Sequence, residues 1–281
     1  MPELPEVETI KNSLKPDILG KTITDIEILS PKNFIGNKKI VIGKKIIDID
    51  RYGKVLVFKL STDCYLNIHF KLSGQMLFAK DLKNAIFKNI IPFTKTNKMP
   101  GKTTRVIIRF SDDSGLFFND LRKFGWIKVS KKPLIPKGID VLSKQFTLEK
   151  LAQLISKTSR PIKLFLMDQD FLTGIGNIYA NDLLFLAKIH PLRPSKSLTK
   201  QEIKNLHKAI VQEIKKGIKD QGSSGADEAF ILPDGSKGKH QRHFLVYQKE
   251  GKPCPRCKTK IKRIKQNNRS SFFCPKCQIK L

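Results

Sequence analysis

The first 130 or so residues alternate or cluster apolar side chains in short runs. Residues 22–29 place Ile23, Ile26 and Ile28 among polar neighbours, and 39–50 is rich in Ile and Val. Runs at 55–60 and 65–70 flank the turn-forming Ser61-Thr62-Asp63, and runs at 104–110 and 116–119 flank Ser111-Asp112-Asp113-Ser114-Gly115. Short strands at this spacing predict an antiparallel sandwich or barrel. Residues 6–14 predict a short helix that ends before Pro16. Residues 80–102 are polar, basic and without period, and read as a long surface loop.

A Lys/Pro/Gly stretch at 131–138 reads as a linker, after which the period becomes helical. Thr147 caps a helix bearing Leu148, Leu151, Leu154 and Ile155, which must stop near Pro161. A second apolar helical stretch covers 162–167, and a third covers 177–188, after the Gly174-Ile175-Gly176 turn. Thr199 and Glu202 have capping-box spacing ahead of a helix whose apolar face is Ile203, Leu206, Ile210, Ile214 and Ile218.

The cysteines add a metal module to this order. Cys254-x-x-Cys257 and Cys274-x-x-Cys277 present four thiolates suited to one tetrahedral zinc, with no open position for water. The fifth, Cys64, lies in an apolar strand-like run and reads as a buried free thiol. Lys252, Arg256, Lys258, Lys260, Lys262, Arg263, Lys265 and Arg269 make this ribbon basic. Such a ribbon reads nucleic acid or docks protein.

Charge narrows the partners. The 281 residues carry 54 Lys+Arg against 25 Asp+Glu, a formal charge of +29, which favours a polyanion. No apolar run reaches the ~20 residues of a membrane span, and MPELPEVETI has no signal-peptide core. Removal of Met1 would expose the secondary amine of Pro2, with Glu3 beside it and Glu6 one turn on. A neutral amine can attack an electrophilic carbon to form an iminium, and a neighbouring carboxyl can move the proton. The same residues also suit a plain helix start, with proline and acids in the first turn.

The start MPELPEVET resembles that of the formamidopyrimidine-DNA glycosylases, within the wider family that includes endonuclease VIII. The resemblance continues through Arg51-Tyr52-Gly53-Lys54, His69-Phe70-Lys71-Leu72-Ser73-Gly74, Asn119-Asp120-Leu121-Arg122-Lys123-Phe124-Gly125, Leu172-Thr173-Gly174-Ile175-Gly176-Asn177-Ile178-Tyr179-Ala180 and the ribbon spacing. It implies a multidomain α+β chain with three parts. These are an N-terminal two-layer β-sandwich (1–132), a helical domain with a helix–two-turn–helix motif (140–232) and a C-terminal zinc ribbon (245–281), with DNA in a cleft between domains.

The activity implied is excision of oxidised purines, 8-oxoguanine and formamidopyrimidines, from duplex DNA, followed by strand cleavage as an abasic-site lyase. By resemblance Pro2 is the nucleophile, Glu3 the general acid and Glu6 the group that orients the amine. Lys54 and Arg269 support the successive phosphate eliminations. Leu72 and Phe124 fill the space of the everted base, and Arg122 pairs with the orphaned cytosine. Asn177 grips a phosphate at a helix start, with Lys71, His69 and Arg160 as further DNA contacts. From the residues alone, Lys54 reads as an exposed turn lysine, Arg269 as a solvated ribbon residue, His69 as a satisfied strand residue, Leu72 as a core residue, Phe124 as a hairpin anchor, Asn177 as an N-cap and His190 as a helix-end cap.

The expected setting is a bacterial cytoplasmic, nucleoid-associated monomer with one structural Zn2+, acting on damaged or abasic double-stranded DNA and not on membranes. The chain departs from the family pattern in two places. Thr103 stands where relatives carry histidine, and the loop after Gly222-Ser223-Ser224 diverges at Gly225-Ala226-Asp227-Glu228. Leu4 and the Arg122-x-Phe124 pair favour the purine type over the endonuclease VIII type. The other rival is a DNA-binding protein without catalysis.

Overall fold

The computed structural model describes residues 1–225 and 230–280. Ala226, Asp227 and Glu228 of the divergent loop lie outside the described residues. The chain forms two compact units, Met1–Ile135 with Ile218–Gln241, and Pro136–Gly217 with Arg242–Leu281.

The first unit opens with α1 (Leu4–Ile18) and continues through β1 (Ile23–Ile28), β2 (Phe34–Ile35), β3 (Ile46–Tyr52), β4 (Val55–Leu60), β5 (Cys64–His69), β6 (Gly74–Ala79), β7 (Thr104–Phe110), β8 (Gly115–Asp120) and β9 (Trp126–Ser130). Two sheets form, one ordered β1-β7-β8-β6 and the other β2-β9-β5-β4-β3. Both feed one apolar core. Val106, Ile108, Leu116 and Phe118 come from the first sheet, Ile49, Leu56, Phe58, Leu66 and Ile68 from the second, and Val7, Ile10 and Leu14 from α1. This is the expected two-layer sandwich.

Several local expectations need correction. Helix α1 runs on through Pro16 to Ile18. A proline so near the helix end removes few hydrogen bonds, and Ile18, fully buried, keeps the last turn on the core. The strand expected from residue 39 begins only at Ile46, because a short 3-10 turn occupies Lys38–Ile40. Residues 80–102 do carry no long element, yet they are not merely surface. Ala85, Phe87, Ile91 and Met99 are buried against Leu77, Ile107 and Phe117. They cover the second face of the four-stranded sheet, so all six residues of β8 are buried.

The second unit holds β10 (Ile139–Asp140), α2 (Leu148–Ser156), α3 (Ile162–Met167), β11 (Leu172–Thr173), α4 (Asn177–Leu186), most of α5 (Lys200–Lys219), β12 (Lys262–Gln266) and β13 (Arg269–Phe273). Thr147 Oγ1 accepts from Lys150 N at 3.2 Å, as expected of its cap. Thr199 N donates to Glu202 Oε2 at 2.8 Å and Glu202 N to Thr199 Oγ1 at 3.2 Å, the reciprocal bonds of a capping box. His190 caps no helix. Its ring meets Phe273 edge-on at 4.5 Å and its Nδ1 accepts from Leu192 N at 3.2 Å.

The ribbon is anchored to α4. Phe185 shares a cluster with Val246, Ile261 and Phe272. Asn181 Oδ1 accepts from Phe272 N at 2.7 Å. Asp182, fully buried, accepts from the N–H groups of Leu245, Val246 and Tyr247 at 2.9–3.0 Å, although burial pushes its carboxyl up to about 6. Arg256, expected to be one of the ribbon's free cations, donates to the carbonyls of Phe185 (2.6 Å) and Leu186 (3.1 Å) and lies 4.2 Å from the Phe185 ring centroid. It caps α4, whose terminal carbonyls need donors.

Candidate active site and zinc ribbon

The amino terminus is built into the first unit by its acids. Glu3 is the N-cap of α1 and Glu6 lies at its third position. Both are only 1% exposed. Glu6 Oε2 accepts from Glu3 N at 2.8 Å, and its Oε1 accepts from Ser223 N at 2.8 Å. One carboxylate therefore ties the peptide following Pro2 to the segment after α5. Gly222 makes this possible: its φ is +75°, and a Cβ there would stand 3.1 Å from Glu6 Oε1. Ser223 is missing from the sequence-level site because its contribution is a backbone N–H, which no side-chain pattern encodes.

Lys54 sits in the turn between β3 and β4 and is 6% exposed, so the exposed-turn alternative falls. The turn is braced from α1. Arg51 Nε donates to Glu8 Oε2 at 2.7 Å and its Nη1 to Gly53 O at 2.8 Å. Burial opposes the charge on Glu8, but hydrogen bonds from Lys11 and Arg51 outweigh it and hold the carboxyl below its ordinary value.

His69 closes β5. Burial, then the charges of Lys71 and Lys54, drive its imidazole down to about 3, so it is neutral at pH 7. Its Nδ1 accepts from Lys71 N at 3.0 Å, which holds Lys71 in a left-handed conformation (φ 49°). Lys54, His69 and Lys71 thus share one electrostatic neighbourhood.

The next residue, Leu72, is half-buried in the turn before β6 and is not part of the core. Phe124 is 55% exposed and anchors no hairpin, while Arg122 stands 5.3 Å from its ring centroid. A large apolar side chain held out in water beside an arginine suits a surface that meets a partner.

In the second unit, Asn177 begins α4, but the N-cap is Gly176. Asn177 Oδ1 is buried and, among the described residues, accepts no hydrogen bond. Arg160 is paired with Asp168 and lies 5.9 Å from the Phe171 ring centroid, with its side chain 57% exposed. Arg269 is exposed at the start of β13, directly after Asn267 and Asn268, whose φ values of 44° and 58° form a tight hairpin turn.

The four ribbon sulfurs all lie within 4.8 Å of one another, and none is in a disulfide. Sγ–Sγ separations of 3.4–3.9 Å suit one tetrahedral ion with bonds of ~2.3 Å. Burial and the crowding sulfurs push the Cys277 thiol up to about 12, while Thr259 draws Cys257 down to about 6. A divalent cation relieves that mutual repulsion. The set is closed, so this zinc is structural. Among the described residues no helix is long and apolar enough to cross a membrane.

Three family models match along the chain. They describe a formamidopyrimidine-DNA glycosylase N-terminal domain (residues 1–127), a formamidopyrimidine-DNA glycosylase H2TH domain (137–228) and a zinc finger found in FPG and IleRS (251–279). The formamidopyrimidine-DNA glycosylase of Chloroflexus aurantiacus is 38% identical, over 99% of this chain and 98% of its own. Among solved structures, the MutM (FPG) protein of Thermus thermophilus aligns with a TM-score of 0.87 at 31% identity, covering 99% of this chain and 98% of that one. A Lactococcus lactis Fpg point mutant, in complex with Fapy-dG-containing DNA, aligns with a TM-score of 0.85 at 32% identity, covering 99% and 100%.

Proposed function

Because the chain belongs to the formamidopyrimidine-DNA glycosylase family, we propose that it excises oxidised purines from duplex DNA and then cleaves the strand through an imine on Pro2. The observation that carries this reading is the buried terminus, where Glu3 directly follows Pro2 and Glu6 is fixed from two sides.

The steps follow from these groups. Once Met1 is removed, the Pro2 nitrogen is a secondary amine, and a terminal amine with a reference pKa of ~7.7–8.0 is partly neutral at pH 7. The damaged base must leave the stack before its sugar can be reached. Leu72 and Phe124 enter the vacated space, and Arg122 donates to the unpaired cytosine. The Pro2 nitrogen attacks C1′, and the base departs with the electrons of the glycosidic bond. Glu3 protonates the ring oxygen as the sugar opens to an iminium. That cation acidifies the C2′ proton, so its removal expels the 3′ phosphate. A second elimination expels the 5′ phosphate. Lys54, buried in the turn that Arg51 braces against Glu8 of α1, serves the first elimination and Arg269 the second.

Asn177, with its buried and unpaired Oδ1 and the N–H groups of the first turn of α4, is suited to a phosphate of the DNA through its amide nitrogen. Lys71 and Arg160 supply longer-range charge, and His69 acts by shaping the Lys71 turn. The enzyme works as a cytoplasmic monomer.

Borohydride trapping on duplex DNA with 8-oxoguanine opposite cytosine tests the reading. A covalent adduct is expected, and it is lost in Pro2→Gly. DNA binding without any adduct would establish a non-catalytic binder, and a clear preference for thymine glycol would establish the endonuclease VIII type.

A further inference from the structure

We propose that Asp120, together with Ser73, is a positioning residue that mounts both base-displacing turns on one buried node. The inference rests on the function proposed above and deepens it.

Leu72 and the Arg122–Phe124 pair lie in different connections, one between β5 and β6 and the other between β8 and β9. Their tips point away from the core, and each connection contains a residue in the left-handed region, Lys71 at φ 49° and Lys123 at φ 57°. Displacing a base means breaking stacking worth a few kcal/mol per step. Something beneath the turns must resist that load.

Asp120 ends β8 and is 0% exposed. It pairs across the sheet with Gly74, which places Ser73 and the Leu72 turn beside it. Its Oδ1 accepts from the Ser73 hydroxyl and from Arg122 N at 3.1 Å, and its Oδ2 accepts from Gly125 N at 2.6 Å. Ser73 Oγ in turn accepts from Arg122 N at 3.0 Å. One carboxylate therefore holds the Leu72 turn through Ser73 and both ends of the Arg122–Phe124 turn.

The node is fixed from below and from the side. Asp120 N donates to Thr103 O at 2.9 Å, and Asp120 O accepts from Arg105 Nε at 2.8 Å. Asn33 Nδ2 donates to Gly125 O at 2.6 Å. Gly125 has no space for a side chain, since a Cβ would stand 2.8 Å from Phe118 Cζ and 3.1 Å from Asp120 Oδ2. Charge-assisted bonds of this kind are about twice as strong as neutral ones. The consequence is that the two turns act on DNA as one rigid body, although they are separated by about 50 residues of chain.

Asp120→Asn keeps the shape but turns an N–H2 group toward a donor, and Ser73→Ala removes the hydroxyl bridge while leaving the carboxylate its backbone donors. Three readouts separate positioning from general damage. These are excision of 8-oxoguanine opposite cytosine, its ratio to excision opposite adenine, and the fluorescence of 2-aminopurine placed next to the lesion as a report of unstacking. Trapping on a single-stranded abasic oligonucleotide, which needs no eversion, is the reference.

For Asp120→Asn, duplex excision relative to single-strand trapping falls about 30-fold, the cytosine preference flattens and the unstacking signal is lost. Ser73→Ala gives the same pattern at about tenfold and carries the test if the aspartate variant does not fold. Variants that evert and excise like the parent overturn the proposal, as does an equal fall in duplex excision and single-strand trapping. Failure of the parent chain to form an adduct on either DNA would instead reject the proposed function itself.

Discussion

The amino terminus and the ribbon are both held by anionic groups, but of different kinds. In the first unit the Glu6 carboxylate joins Glu3 N to the distant Ser223 N, and the Asp120 carboxylate joins Arg122 N and Gly125 N to the distant Ser73 hydroxyl. In the second unit four thiolates gather around a metal, and Asp182, Asn181 and Arg256 then tie the result to α4. The first arrangement is permanent once folded, because a carboxylate sharing N–H bonds has no dissociable part. The second has one, the ion. A chain with this design can lose its ribbon without losing the fold around Pro2 and Glu3.

Chelation breaks the comparison most sharply. A structural zinc contributes on the order of 10 kcal/mol to folding its module. Removing it, or substituting Cys274→Ser, is expected to leave β12 and β13 unprotected in hydrogen exchange and to weaken DNA binding about tenfold or more. Protection of β4 through β8 is expected to persist. Ribbon amides that stay protected with the metal gone would mean that the α4 anchors suffice alone.

A smaller effect sharpens the role of those anchors. Arg256→Ala is expected to cost about 1–2 kcal/mol through lost capping and ring contact, read as a lower melting temperature with zinc still bound. The slope of DNA affinity against salt is expected to stay the same. A slope reduced by about one with unchanged stability would return Arg256 to the phosphate contacts that its position in a basic ribbon suggests.

Near neutral pH the smallest effect is that of His69, and it grows as acid is added. His69 is depressed to about 3 in the folded chain, below its unfolded value of ~6.5. The unfolded state therefore binds more protons between these values, and stability falls as pH drops from 6.5 toward 3. His69→Gln is expected to remove up to one proton from that dependence, with no such change in the second unit. An identical pH profile in the variant would show that the imidazole is not the neutral acceptor for Lys71 N.

Much of this was legible in the sequence, for definable reasons. The strands at 55–60 and 104–110, the caps at Thr147 and Thr199 and the cysteine quartet are local patterns, and local patterns survive folding. Strands β6 and β9 leave no such pattern. Gln75, Met76 and Leu77 of β6 are all buried, so no alternation marks it, and Trp126–Ser130 is partly exposed and short. The loop covering β8 carries no sequence signal, because Ala85, Phe87, Ile91 and Met99 follow no period. The cation-rich β12 reads as ribbon surface, yet it pairs fully with β13.

In the site, the chemistry-bearing side chains stood out through resemblance, but the groups that hold them did not. Ser223 acts through its backbone. Asp120 and Ser73 lie in two motifs about 50 residues apart, and only the pairing of β6 with β8 shows that they meet.

Peptide mass spectrometry of the borohydride-trapped adduct shows which nitrogen holds the sugar. The expected product is a chain shortened by Met1, with the reduced sugar remnant on the N-terminal Pro2 peptide. A remnant on Lys54 or another lysine, or trapped protein that still carries Met1, would contradict it.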